Sequence, residues 1–226
     1  MTIDVFADIA CPWCYIGEAH LAEALRQRPR LDVRRRWRPF QLQPGLPREG
    51  LGREFFLEKF GGQSAMEAAF GHVTRAGAAA GLSFDFDRLA GAPNTLDAHR
   101  LVLLARVHGR EWEMADALFE GYFAGGRDLN DAEDLAALAE HAGIPGADAH
   151  QLLAGDRFDA DVQQSQEIAR RAGIGGVPLY LFGDQFALSG AQPVHAFAQA
   201  LDRLASVEAP DPTADESSRQ RGAANG

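Results

Sequence analysis

Two cysteines stand three residues apart in Cys11-Pro12-Trp13-Cys14, and they are the only two in 226 residues. Pro12 suits the first position of a helix, where its missing N–H would have no partner and its fixed φ is already helical. Cys11 is therefore expected at a helix N-cap and Cys14 at the third helical position, one turn away. There the free N–H groups and the positive end of the helix dipole favour an anionic sulfur on Cys11. A thiolate is the form that attacks a disulfide, and Cys14 is near enough to attack the mixed disulfide that results. The chemistry on offer is thiol–disulfide exchange, with Cys11 partly exposed as the attacking group and Cys14 more buried as the resolving one. No histidine or other cation lies between them, so the helix end is expected to supply most of the thiolate stabilisation.

The main competitor for such a pair is a metal. A structural zinc site needs four ligands, and the chain has neither a second CxxC nor an HxxxH-type pair. His20, on the same predicted helix, lies about 13 Å along the axis from Cys11, too far to share an ion with both thiols. No metal is expected. Two cysteines also cannot make a disulfide framework in a chain of this size. Net charge is −10 with an isoelectric point near 5.1, which argues against nucleic acid or an anionic membrane as partner. Lys59 is the only lysine. Residues 1–6 lack the basic and apolar regions of a secretory signal, so with Met1 as the natural start a cytoplasmic location is expected.

Ile3, Val5 and Ala7 alternate with Asp4 and Phe6, a strand pattern ending at Asp8. Helix formers fill 12–27 until Pro29, and a second strand is expected over Leu31–Phe40, completing a βαβ unit. That places the cysteines at the carboxyl end of the first strand, where open α/β sheets hold their ligands. Arg34, Arg35, Arg36 and Arg38 crowd the second strand around Trp37. They read as a patch for an acidic substrate or as a solvated edge split between two faces, and the edge is favoured. From the Pro- and Gly-rich 41–52 to about 173 the pattern is helical. Helices are expected over 53–60, from a Ser64 cap to Ala80, after Thr95, over 112–123, from an Asn130–Glu133 capping box to 142, over 148–154, and from an Asp156 cap to 172, with 82–92 a loop. The helix after Thr95 is apolar on most faces and should be the buried centre. Gly176-Val177-Pro178 then introduces strands over 179–182 and 185–188 around a Gly183-Asp184 hairpin, and a helix runs from Pro193 to about Ala205.

With the helical middle set aside, the order is β-α-β followed by α-β-β-α. The predicted fold is α/β and thioredoxin-like, built from 1–45 plus 174–207, with an inserted all-helical domain over 46–173 that includes the helix leading back to the sheet. Residues 208–226 are expected to be a disordered tail. The sequence resembles the DsbA family, and its FrnE-like subgroup in particular. The resemblance is carried by Asp8–Gly17 (DIACPWCYIG), Trp37–Phe40, Asn94-Thr95, Ala98–Leu101, Gly176-Val177-Pro178 and Ser189–Pro193. It implies a dithiol–disulfide oxidoreductase or isomerase acting on protein or small-thiol substrates. It needs no cofactor beyond the redox-active cysteines, though glutathione is admitted as a co-substrate.

It also implies that Pro178 is a cis-proline facing the CxxC, and that the Val177 backbone pairs with an extended substrate strand. Trp13, with Pro12, would then contact substrate, although packing explains Trp13 equally well. Asp8 relays a proton to Cys14 or merely closes its loop. His99 lines a cleft or is packed, and packing is favoured. Two other classes remain. Kappa-class glutathione transferases and 2-hydroxychromene-2-carboxylate isomerases share the architecture, but typically carry serine where Cys11 stands. A non-enzymatic, redox-switched binding protein would also keep both thiols.

Overall fold

The chain opens with β1 (Thr2–Ala7), α1 (Pro12–Arg26) and β2 (Arg34–Pro39). A computed structural model describes residues 1–208. Next come β3 (Leu51–Gly52), α2 (Glu54–Phe60), α3 (Gln63–Ala79) and β4 (Gly91–Ala92). The helices α4 (Leu96–Val107), α5 (Glu111–Phe123), α6 (Ala132–His141), α7 (Gly146–Leu153) and α8 (Asp159–Arg171) follow. The chain then returns through β5 (Leu179–Phe182), β6 (Phe186–Ser189) and α9 (Val194–Glu208). The tail expected to be disordered begins inside α9 at residue 208, and the rest of it lies outside the described residues.

Four strands form one sheet in the order β2-β1-β5-β6. β1 pairs parallel with β2, Val5 opposite Trp37, and antiparallel with β5, Val5 opposite Tyr180. Strands from the two ends of the chain therefore meet in one ladder. Alternation sends Ile3, Val5, Tyr180 and Phe182 to one face, where they join a core shared with Leu21 of α1 and Phe197 and Leu201 of α9. Phe6, Leu179 and Leu181 point the other way and pack with Phe40 against Ala169 of α8. The same core runs from the sheet into α4 and α5 through Leu101, Leu118 and Phe119. As its pattern predicts, α4 is buried throughout 98–105.

Several local expectations are corrected. β2 starts at Arg34 because β1 starts at Thr2, which is paired with it, so Leu31–Val33 have no strand to join. The arginines beside Trp37 stand on an edge strand with their side chains split between two faces, as expected, and each face supplies counter-ions. Arg36 and Arg38 both bind the Asp4 carboxylate across the β1–β2 ladder, at 2.7 and 2.9 Å. Arg35, on the other face, pairs with Glu18 of α1 and lies 4.1 Å over the Trp112 ring. The loop at 82–92 contains the short β4 and a 3-10 turn, Phe86–Arg88. A two-residue strand has no periodicity to read, and Gly91 marks it only because a side chain there would strike the Leu51 carbonyl.

Helix starts also shift. Asp131, not Asn130, caps α6 by accepting from the Glu133 and Asp134 N–H groups, while Asn130 accepts from the Asn94 N–H. α3 begins at Gln63 behind Gly62 rather than at a Ser64 cap. α8 begins behind Phe158, held left-handed at φ 71°, so Asp156 closes a turn to Asp159 instead of capping. The β5–β6 turn has three residues between Phe182 and Phe186, not two.

Gly17 sits in α1 where a Cβ would meet the Tyr180 hydroxyl and crowd Ala191 and Pro178. That hydroxyl is buried without a hydrogen-bond partner. Tyr180→Phe should therefore be stabilising by about 1 kcal/mol, since an unpaired buried hydroxyl is costly. Gly17→Ala should destabilise by about 1–3 kcal/mol through overpacking, despite alanine's better helix propensity. In urea denaturation, combining the two should recover part of that loss. A Gly17→Ala protein more stable than the parent would show that α1 does not lie this close to β5.

Candidate active site

Cys11 is the N-cap of α1, with extended backbone (φ −99°, ψ 109°), and Pro12 takes the first helical position. The turn from β1 is closed by the Cys11 N–H on the Asp8 carbonyl at 3.1 Å. The Asp8 side chain turns inward and accepts from the Ala10 N–H (3.3 Å) and the Leu42 N–H (2.7 Å), tying this turn to the chain after β2. Cys14 lies one turn on, its N–H on the Cys11 carbonyl at 3.0 Å. Both thiols are free, and the two side chains are hydrogen-bonded to each other. From the far end of the chain comes the Val177–Pro178 peptide, which is cis. Its Val177 carbonyl accepts from the Cys11 thiol at 3.8 Å. Residues 166 apart in sequence thus share one site.

The two sulfurs differ in character. The Cys14 thiol, donating to Cys11, is the strongest influence holding Cys11 below the usual thiol value. The backbone N–H groups of Cys14 and Trp13 add to it, against burial and the Asp8 charge, which oppose. The neighbouring thiol is the largest single cause because the turn sets the two sulfurs side by side, and the helix-end N–H groups act in the same direction. Cys14 is pushed well above the usual value, first by burial, then by its bond to Cys11 and the Cys11 charge. One sulfur is prepared to be a thiolate and the other to stay protonated.

Cys11 is more enclosed than its sequence role suggests, at 4 % exposed against 1 % for Cys14. Helices α2 and α3 account for the difference. Trp13 packs on His72 of α3, ring centroids 5.4 Å apart. Cys11 forms part of the wall of a chamber of about 310 Å³, bounded also by Trp13, Phe56, Phe70, Lys59 and His72. Pro12 lines it too, whereas Val177 and Pro178 do not. A second recess, of about 30 Å³, adjoins Asp8 and shares Ala10, Leu42, Phe56, Lys59 and Tyr122 with the chamber.

Two features escape the sequence reading. His99 is packed as expected, but it is wholly buried with its Nδ1 accepting from the Trp37 indole N–H at 3.1 Å. Nε2 then carries the ring proton and faces Asp8 Oδ1 at 3.5 Å. Nothing in a linear sequence ties residue 37 to 99 and 8. The chamber is the other, and here a signal existed. Phe55, Phe56, Phe60, Phe70, Phe84 and Phe86 concentrate six of the 14 phenylalanines into 32 positions around the sole lysine.

Comparison with known proteins places the chain as a whole. A family model, the DSBA-like thioredoxin domain, matches residues 2–202. The chain belongs to that family. A probable DsbA oxidoreductase from Streptomyces coelicolor, SCO1869, is 31 % identical, with a TM-score of 0.85 over 93 % of this chain and 92 % of that one. The cytosolic disulfide reductase DsbM of Pseudomonas aeruginosa, solved with GSH, is 21 % identical with a TM-score of 0.61 over 92 % and 98 %. A 2-hydroxychromene-2-carboxylate isomerase is 16 % identical with a TM-score of 0.70 over 91 % and 96 %. The last two share the thioredoxin-like fold. At the level of the family, the protein is a DsbA-like thiol oxidoreductase.

The DsbA-like chain offers a direct check on its two sulfurs. Cys14→Ala removes the thiol donor, so Cys11 should ionise at higher pH and react more slowly with iodoacetamide at pH 7. Cys14→Ser keeps a donor and should hold most of the wild-type midpoint. Equal midpoints in all three proteins would mean that Cys14 does not activate Cys11.

Proposed function

We propose that the protein is a dithiol–disulfide exchange enzyme in which Cys11 attacks and Cys14 resolves. The observation that carries this reading is the Cys11 sulfur itself, bonded to the Cys14 thiol and lying 3.8 Å from the carbonyl of the cis-prolyl Val177. The Cys11 thiolate attacks one sulfur of a substrate disulfide, forming a Cys11 mixed disulfide and releasing one substrate thiolate. Cys14 gives up its proton and attacks the Cys11 sulfur, releasing the second thiolate. The substrate gains two electrons and the Cys11–Cys14 pair loses them. Run backwards, the same steps oxidise a substrate dithiol. Val177, whose carbonyl lies beside the Cys11 sulfur, pairs through its backbone with an extended substrate segment, and Pro178 has no N–H to compete with it. Pro12 and Trp13 form the opposite bank.

Asp8 is the group we assign to take the Cys14 proton. It acts on both thiols through its charge, two backbone donors, from Ala10 and Leu42, hold its carboxylate in place, and the His99 Nε2 lies 3.5 Å away. Glutathione as the small-thiol partner is supported by the likeness in fold to DsbM, solved with GSH. The word cytosolic in that protein's name also favours a cytoplasmic location. No helix among the described residues is long and apolar enough to cross a membrane. Having two thiols favours exchange over a glutathione-dependent isomerisation, for which Cys14 would be superfluous.

Cys11→Ser should abolish reduction of insulin disulfides, and retained activity would remove Cys11 from the mechanism. Asp8→Asn tests the relay against plain electrostatics. Loss of the Asp8 charge lets Cys14 ionise more easily, which by itself would speed release of a Cys11 mixed disulfide. If the carboxylate accepts the Cys14 proton, release should instead slow by about a hundredfold. Single-turnover decay of a pre-formed mixed disulfide decides between them, and faster decay in Asp8→Asn would discard the relay.

A further inference from the structure

The chamber beside Cys11 has a composition at odds with the rest of the molecule. The chain carries 32 acidic residues against 22 basic ones, yet no aspartate or glutamate lines the chamber. Its walls are aromatic and aliphatic, with Phe56, Phe60, Phe70, Phe86 and Phe123 among them. The one permanently charged group there is Lys59. The Lys59 ammonium lies 5.7 Å from the Phe55 ring centroid, and no carboxylate among the described residues lies within ion-pair distance of it. Lys59 is exposed and lines both the chamber and the recess beside Asp8, so in a chain of net charge −10 its ammonium, left without a carboxylate at the rim of an apolar cavity, is a place for a negative group brought from outside.

Enclosure restricts what can bring it. Cys11 meets the chamber rather than open surface, so one substituent of the attacked disulfide has to stand inside. About 310 Å³ lies at the low end of the range for small-molecule sites and fits a substituted aromatic ring. It is shallow for a loop of a folded protein.

Resting on the exchange reading above, we infer that this chamber selects a low-molecular-weight disulfide whose sulfur bears an aromatic group carrying an anion, with the ring among the phenylalanines and the anion at Lys59. Phe70 and Phe86, stacked with centroids 4.2 Å apart, both line the chamber and form a wall against which a further ring packs. The reaction is the exchange already written. The Cys11 thiolate displaces one aryl thiolate, Cys14 displaces the second, its proton passing to Asp8, and the protein is left as the Cys11–Cys14 disulfide.

The test uses the full reduced chain in one turnover, with no added reductant. Dithiobis-nitrobenzoate, aromatic with a carboxylate on each ring, is compared with dithiodipyridine, aromatic and uncharged. Each rate is divided by that of a free model thiol to cancel leaving-group reactivity. Wild type should release two aryl thiolates per chain and prefer the carboxylated disulfide. Lys59→Gln should lower that preference about fivefold, the scale of one solvent-facing ion pair. Lys59→Arg should restore it, and added salt should erode it. Phe70→Ala should slow both disulfides relative to cystine, with circular dichroism confirming that the variant is folded. A preference unchanged in Lys59→Gln overturns the inference, as does insulin oxidising the reduced protein faster than either aryl disulfide. If insulin and both aryl disulfides all fail to oxidise the pair, the exchange reading itself falls. Failure of the two claims is therefore seen separately.

Discussion

The antiparallel register between β1 and β5 is the constraint from which the site follows. Phe6 stands opposite Leu179, which sets Cys11, five residues beyond Phe6, beside Pro178, one residue before Leu179. A slip of one residue would turn Val5 and Tyr180 out of the core and carry the Val177 carbonyl away from the sulfur. The hydrophobic alternation of the two strands forbids that slip, because Ile3, Val5, Tyr180 and Phe182 are wholly or almost wholly buried on one face. The position of a reactive atom is thus secured by side chains that take no part in its chemistry.

Electrostatics around the sheet obey the same geometry. Asp4 and the arginines at 36 and 38 share the α8 face, and Arg35 shares the α1 face with Glu18. Alternation therefore sorts a run of like charges into two separate sets of ion pairs. The acids concerned are paired near the strands, and Asp8 is kept for the cysteine turn by two backbone N–H groups. The cavity floor is left free of carboxylates, and the Cys11 sulfur faces only one nearby negative charge.

Much of this was legible before any coordinates. The alternation of residues 3–7, the Pro12 helix start, the apolar 96–107 and the strand pair at 179–188 carry their periods openly, and the family resemblance supplied the cis bond at Pro178. What stayed hidden was decided by contact between distant segments. Burial of Cys11 depends on where α2 and α3 lie over it, and no residue near the cysteines records that. The capping role passed from Asn130 to Asp131 because Asn130 is occupied by the Asn94 N–H, a partner 36 positions away. The counter-ions of the arginine run, Asp4 and Glu18, stayed hidden because they belong to other elements. Composition did hold one clue to the chamber, the crowding of phenylalanine over 55–86, but a cluster of rings in sequence does not say whether they enclose a space or fill one.

The bond from the Trp37 indole to His99 has a reach beyond its own neighbourhood. By occupying one nitrogen of the imidazole it dictates which way the ring's remaining hydrogen points, and that way is the carboxylate beneath the cysteine turn. A tryptophan in the middle of an outer strand thereby acts as a latch on the reactive loop. The second strand is linked, through one buried imidazole, to the turn that carries the cysteines.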